Sequence, residues 1–452
     1  MSTSLFGDHI KRLSASYDNA LARKQKAGSN IDAILLHSGT EQMYFGDDRH
    51  IKFQAFGHFS HWLPVPRPDQ FVLYRTGHKP VYLQVVPDDY WYEQTVDLNA
   101  GWVEQFEVVR LKQVAAVAAQ LQGLKCAYLG ENTSLANSWG IATGQCNPAS
   151  LLAYLDFHRA VKSPYELEQL RAASKLALQG HAAARQCFLQ GGSEYEIHMA
   201  FLTACNILEE ESPYTNIVAL DEKSAILHYQ NKRRGTGSGT GSGSGKHSQV
   251  LLIDAGCRVN GYCSDITRTS VKTTTHPVFQ SLVRGMDTLQ QSLVKAVRPG
   301  LPYPKLQALA LRGVVDLLVE HGICHGAGAD LFEQGIGQWF MPHGVGHLLG
   351  IQVHDVGGHQ VDENGAKLPP PANSPSLRNT RIMAEDMVFT VEPGLYFIPM
   401  ILEAKRQSDQ AALVNWHLVK ELYSCGGIRI EDNVRIAGVG AENLTRQFEQ
   451  QR

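Results

Sequence analysis

The 452-residue sequence predicts an α/β (α+β) protein in two parts: an N-terminal α/β domain over residues 1–160, and a larger domain over 161–452 with a mainly antiparallel sheet flanked by helices. Three observations carry this expectation. Short apolar runs ended by turn residues recur through the first third, a strong helix start stands at Ser163, and the second half alternates β-branched runs with stretches of helical period. The length is ample for two buried cores.

Taken in order, an amphipathic N-terminal helix precedes "IDAILLHSG", "QFVLYRTG", "PVYLQVV" and "KCAYLG", each read as a strand, with stretches able to form helices between them. "SPYE" opens a helix, because Ser163 can cap free amides, Pro164 suits the first turn and Glu166 can complete a capping box. Apolar spacing from Leu167 carries this helix to about Gly180, and "SEYEIHMAFLTACNIL" repeats the device with Ser193 and Glu196. "IVALDEKSAILHYQNKRR" and "HSQVLLIDAGCRVNGYCSDITRTS" read as strands, the latter turned at Val-Asn-Gly. "PVFQSLVRGMDTLQQSLVKAV" and "YPKLQALALRGVVDLLVEHG" return to helical period, each closed by a glycine, and "MVFTVEPGLYF" and "GGIRIEDNVRI" are strands again.

A formal net charge of −3 with both signs interspersed argues against a nucleic-acid or anionic-membrane partner, and points to a small neutral or zwitterionic ligand. The eight cysteines form no CxxC pair and no regular framework, which suits free thiols in a reducing compartment. The first residues lack an unbroken apolar core, and no segment approaches the ~18 apolar residues of a membrane span. A soluble, cytoplasmic protein is expected.

The run "RRGTGSGTGSGSGKHSQVLLIDAG" raises a phosphate loop as an alternative. It fails the G-x-x-x-x-G-K-[ST] pattern: Thr240 holds the first glycine position, His247 follows Lys246, and a strand follows where a helix is needed. The dinucleotide pattern fails as well, since every candidate third glycine is Thr, Ser or Lys. Gly235–Gly245 is read as an expanded hairpin tip between "AILHY" and "VLLIDAG", with a domain linker as the rival reading.

Five acidic or imidazole groups stand at strand or turn positions of the second half: Asp254 in "LLIDAG", Asp265 in "GYCSDITRT", His347 in "PHGVGHLLG", Glu392 in "TVEPGLY" and Glu431 in "IRIEDN". Carboxylates embedded in apolar strands are costly to bury uncompensated. Bound cations would compensate them. Asp254 and Asp265 are eleven residues apart across the Val-Asn-Gly turn, so a hairpin can bring them side by side. Four carboxylates and an imidazole without a thiolate favour a hard metal such as manganese, and the charge suggests two divalent ions. His343 and His354 flank His347 in a glycine-rich frame; one of the three can ligate metal while the others stabilise an oxyanion or shuttle protons.

"LLIDAG…SDITRT", "PHGVGH", "VHDVGG", "TVEPGLY" and "GGIRIEDN" together resemble the motif set of the pita-bread metallopeptidases, and among them the bacterial Xaa-Pro dipeptidases, or prolidases. The similarity extends through "SPYELEQLRAASKLALQGH", "SPYTNIVAL" and "AILHY", and more weakly through the N-terminal region. It implies a creatinase-like N-terminal domain serving dimerisation and substrate access, a pita-bread catalytic domain with a curved sheet, and a homodimer. It also implies a dinuclear manganese site held by Asp254, Asp265, His347, Glu392 and Glu431, with Asp265 and Glu431 bridging and Glu392 doubling as proton acceptor. His343 and His354 are implied as catalytic, and His228 and Arg429 as holders of the substrate's C-terminal carboxylate. Tyr214 and Asp48, the latter from a partner subunit, would lie near the substrate's amino end. The implied substrate is a dipeptide ending in proline, with organophosphate triester hydrolysis as a side reaction. Two rival readings are an aminopeptidase P, which trims longer peptides, and a metal-free pita-bread binding module.

Overall fold

In the computed structural model of the protein, which describes residues 3–94, 96, 98, 101–235 and 247–449, the apolar runs of the first third form one five-stranded sheet. β1 (Ala33–His37), β2 (Phe71–Arg75), β3 (Val81–Val85), β4 (Glu107–Leu111) and β5 (Cys126–Leu129) lie in the order β4-β3-β2-β1-β5. The β1–β2 and β2–β3 pairs are antiparallel, β1–β5 and β3–β4 parallel. Four of these strands are the expected runs. The fifth, β4, is not announced by its sequence, because an edge strand keeps Glu107 and Arg110 exposed and buries only Leu111 fully. With helices Thr3–Lys26 and Ala149–Arg159, this sheet belongs to a unit made of Met1–Leu167 and Asp362–Ala366. Trp62 anchors its core, its ring centroid 4.9 Å from Tyr17 and 5.3 Å from Tyr74.

The second unit comprises Glu168–Val361 and Lys367–Arg452. Its strands are β6 (Ile217–Leu220), β7 (Val250–Asp254), β8 (Arg258–Val259), β9 (Tyr262–Cys263), β10 (Thr267–Val271), β11 (Val388–Val391), β12 (Gly394–Tyr396), β13 (Gly427–Arg429), β14 (Asp432–Ala437) and β15 (Gly440–Asn443). They pair antiparallel as β10-β7-β6, β11-β14-β15, β12-β13 and β8-β9. The antiparallel, helix-flanked architecture is the one the sequence predicts. Asn260 and Gly261 take φ values of +48° and +90° between β8 and β9, which is the backbone a tight Asn-Gly hairpin turn requires.

Both capping boxes form. Glu166 accepts the Ser163 amide at 2.7 Å while Ser163 Oγ accepts the Glu166 amide at 3.3 Å, and Ser193 and Glu196 repeat both contacts. The first helix runs to Leu189, nine residues past Gly180. Gly180 is a site of close approach and not a stop: a Cβ there would lie 2.5 Å from the ring of Phe201 and 2.6 Å from Cys205 Sγ on helix Glu194–Cys205. Helix Tyr303–Glu320 is closed by Gly322 at φ +66°, whereas helix Pro277–Ala296 ends on the extended residue Val297.

One strand assignment is corrected. β7 pairs with β6 and β10, so "AILHY" is not its partner. Asp221, at φ +54°, breaks the chain out of β6 into a 3-10 turn over Asp221–Ala225, and 226–230 follows without strand pairing. The proposed hairpin tip falls, beyond Gly235, outside the described residues. Among the described residues no helix is long and apolar enough to cross a membrane.

Candidate metal centre

Separate segments of the second unit deliver all five predicted ligands to one cavity of about 250 Å³. Asp254 is the last residue of β7, Asp265 lies between β9 and β10, Glu392 follows β11, and Glu431 sits between β13 and β14. Each stands where an apolar strand ends, so the strand fixes the backbone while the side chain escapes the core. His347 is on a loop laid along β11: Thr390 and Glu392 donate their amides to the carbonyls of His347 and Val345 at 2.9 Å each, and Thr390 Oγ1 accepts the His347 amide at 3.1 Å. This close approach needs Gly346, whose φ is +153° and whose Cβ would fall 2.1 Å from Thr390 O.

Asp254 and Asp265 are brought together as the hairpin argument expects, but a third residue joins them. The Tyr214 hydroxyl lies 2.8 Å from Asp254 Oδ1 and 2.5 Å from Asp265 Oδ1. Arg429 donates through Nη2 to Asp254 Oδ2 at 2.7 Å, through Nη1 to Tyr396 Oη at 2.8 Å and through Nε to Thr267 Oγ1 at 3.1 Å. Thr267 in turn donates to Glu431 Oε2 at 2.6 Å. His343 Nε2 is 2.9 Å from Tyr396 Oη and its Nδ1 is 2.8 Å from the Gly344 carbonyl.

The His347 Nδ1 atom lies 3.0 Å from the Leu348 carbonyl, an acceptor only, so this nitrogen carries a proton. Its Nε2 then points at Asp265 Oδ2, 3.3 Å away, and Glu392 Oε1, 3.7 Å away. A lone pair facing carboxylate oxygens needs a proton or a metal ion between them, and this is the tautomer a ligating imidazole requires. Asp265, His347 and Glu431 are all buried and offer ligand atoms within 4.8 Å of one another. The residues therefore fit a bound cation.

Charge repulsion inside the cluster points the same way. Burial and the neighbouring Asp265 push Asp254 up to about 6, against Arg429. Burial, with Asp265 and Asp254, pushes Glu392 up to about 7 despite His347 and Arg429. Glu431 is held well above the usual carboxylate range by burial and the other three carboxylates. Asp265 goes the other way: burial opposes its ionisation, but the adjacent His347 outweighs it and Tyr214 adds to the effect. Divalent cations would relieve the repulsion that raises three of the four.

His228, His343, His354 and Arg429 also line the cavity. The rings of His347 and His354 meet edge to face at 4.4 Å. Burial, reinforced by Arg429, pushes His343 down to about 4. Asp48 is not among the lining residues; it is exposed in the first unit. Three residues that the sequence reading did not single out belong to the site. Tyr396 and Thr267 lie inside quoted motifs, "TVEPGLY" and "SDITRT", so a signal was present. Arg378, an exposed cation on the cavity wall, lies in an irregular stretch whose sequence carries no signal.

Comparison with known proteins agrees with this geometry. Residues 168–437 match the model of metallopeptidase family M24, and residues 4–157 that of the Xaa-Pro dipeptidase N-terminal domain. The first match spans more than half of the chain, so the chain belongs to metallopeptidase family M24. Within that family it belongs with the bacterial Xaa-Pro dipeptidases: it is 38% identical over 451 residues to that of Pseudoalteromonas atlantica and 39% identical over 447 residues to that of Shewanella amazonensis, with 98% of each chain covered in both cases. Aminopeptidase P from Escherichia coli with the inhibitor Pro-Leu shares the fold at a TM-score of 0.72 and 22% identity, over 99% of this chain and 96% of that one. Proline aminopeptidase P II from Yersinia pestis does so at 0.72 and 22%, over 99% and 97%.

Proposed function

We propose that the protein is a metal-dependent Xaa-Pro dipeptidase, cleaving dipeptides with a C-terminal proline at a dinuclear site. Asp254, Asp265, His347, Glu392 and Glu431 would hold the ions. The observation that carries this reading is that one cavity of about 250 Å³ is lined both by four carboxylates and by His228, Arg378 and Arg429. A cation set and a basic patch for a substrate carboxylate share one small space. The full-length likeness to curated Xaa-Pro dipeptidases supports the same substrate class.

Divalent ions in this set, manganese in our reading, supply an acidified water and Lewis-acid polarisation of the scissile carbonyl. Glu392, steadied by Thr390 Oγ1 at 3.2 Å, is the carboxylate that would accept a proton from that water. His343 has both nitrogens engaged, Nδ1–H on a carbonyl and Nε2 on Tyr396, so it acts by orienting the Tyr396 hydroxyl. His354 makes no hydrogen bond among the described residues; burial, with His347 and Arg378, pushes it down to about 4, so its neutral ring N–H would stabilise the oxyanion. Three donor atoms of Arg429 are committed to Asp254, Tyr396 and Thr267, so Arg429 chiefly orients these groups. His228 and the exposed Arg378 then take most of the substrate carboxylate, for which a guanidinium fork is well shaped.

Asp48 of a second copy would approach the substrate's amino end, the first unit serving dimerisation and access. Eight free cysteines support a reducing, cytoplasmic setting. Phosphotriester hydrolysis is a side reaction within reach of the same charge stabilisation. The deciding experiment compares a free Xaa-Pro dipeptide with its C-terminal amide and with a longer Xaa-Pro peptide, before and after chelation. Strong preference for the free dipeptide and loss of activity on chelation are expected. Equal rates would mean an aminopeptidase P, and full activity without metal would overturn the mechanism.

A further inference from the structure

The cavity residue His228 sits on a segment with no strand to hold it, a few residues before the glycine-serine run. Its side chain makes no hydrogen bond among the described residues, so the backbone around it sets its place. We propose that Glu194 is the positioning residue for His228, fixing the chain on both sides of it in this part of the cavity wall. The proposal rests on the reading of His228 as a holder of the substrate carboxylate.

Glu194 opens helix Glu194–Cys205 and is fully buried. The helix N-terminus favours a carboxylate there, yet Glu194 spends it on a different part of the chain. Its Oε2 accepts the Tyr229 hydroxyl at 2.8 Å and the Arg233 amide at 2.9 Å. Its Oε1 accepts the Leu220 amide at 3.3 Å, with Lys223 Nζ 3.8 Å away. One anion thus ties together the end of β6, the turn after it, the residue next to His228 and the last stretch before the glycines. The neighbouring Tyr195 adds its amide to the Arg233 carbonyl at 3.2 Å and its ring beneath the Arg234 guanidinium at 4.8 Å.

Beyond the glycines, Asp221 does the corresponding work. Its Oδ1 accepts the Gln249 and Val250 amides at 2.7 and 2.9 Å, at the start of β7 and hence of the strand that ends in Asp254. Two carboxylates clamp the chain on either side of the run. In a dry interior such an anion is difficult to replace, since removing it leaves several donors unpaired at once.

The test measures KM, kcat and bound metal for Glu194→Gln, Tyr229→Phe and His228→Ala on alanyl-proline and on its amide, with hydrogen exchange over 226–234. Glu194→Gln should raise KM for alanyl-proline about tenfold, in line with loss of a hydrogen bond to a charged group. Its kcat should stay within about twofold, its metal content and its KM for the amide should not move, and exchange should accelerate. Tyr229→Phe should shift KM in the same direction by less, and decides the matter if Glu194→Gln does not fold. An unchanged KM in both variants, with KM raised by His228→Ala, overturns the role of Glu194; so does a parallel fall in kcat and metal content. An unchanged KM in His228→Ala overturns instead the carboxylate reading of that histidine, and the proposal with it.

Discussion

Replacing Tyr214 by Phe removes one oxygen and keeps the ring, which isolates what the hydroxyl does for the metal centre. That oxygen stands 2.8 Å from Asp254 and 2.5 Å from Asp265. Burial and the adjacent carboxylates hold its pKa well above the ordinary value, so it remains a donor. A hydrogen bond to a charged group contributes about 1.5–3 kcal/mol. Arg429 still grips Asp254 Oδ2 at 2.7 Å and His347 still faces Asp265 Oδ2 at 3.3 Å, so the ligands lose one restraint and keep another. About 2 kcal/mol is then a reasonable loss, or roughly 30-fold in metal affinity. That lies inside the 10–100-fold range typical of residues that orient metal ligands. The assay is calorimetric titration of Mn²⁺ into chelator-stripped wild type and variant, with kcat and KM measured at saturating metal. Weaker metal binding with kcat largely recovered is expected. Unchanged metal affinity with a raised KM would show that Tyr214 contacts substrate and does not organise the ligands.

Other outcomes follow from the same geometry. His347→Ala and Glu392→Gln should each abolish turnover while far-ultraviolet circular dichroism stays unchanged, since both side chains face the cavity and not the core packing. Gly346→Ala should cost roughly 3 kcal/mol in denaturant unfolding, because the new Cβ would meet Thr390 O at 2.1 Å and Tyr303 Oη at 2.3 Å on a backbone at φ +153°. Burial pushes His181 down to about 4, against the ordinary 6.5, with its Nε2 on the Ala255 carbonyl. The unfolded chain therefore takes up a proton between these values while the folded chain does not. Stability from this residue is complete above pH 6.5 and falls as pH drops, by about 3 kcal/mol at pH 4. His181→Gln should flatten the acid side of the stability profile; an identical slope would refute the assignment.

The proposed ligands were legible because each is a carboxylate or imidazole at the edge of an apolar run, where burial without compensation is costly. The capping boxes at Ser163 and Ser193 and the Asn-Gly turn at Asn260 were legible for a related reason: each depends on residues within a few positions of one another. "AILHY" misled, since its apolar residues fit a strand as well as a turn, and the deciding feature was the positive φ of Asp221 upstream. Arg378 left no trace in the sequence, because an exposed arginine in an irregular stretch is ordinary until the fold places it on a cavity wall.

By itself the sequence determined what is local: where helices begin, where strands stop, and which chemical groups stand at those stops. Only the tertiary structure decided how the groups act on one another. That Arg429 is committed to Asp254, that Tyr396 engages His343, and that Tyr214 joins two carboxylates are facts about residues 175, 53, 40 and 51 positions apart. Hydrogen-bond direction and the coupling of buried charges depend on distance in space, to a few tenths of an ångström. Periodicity and motif spacing carry no such information.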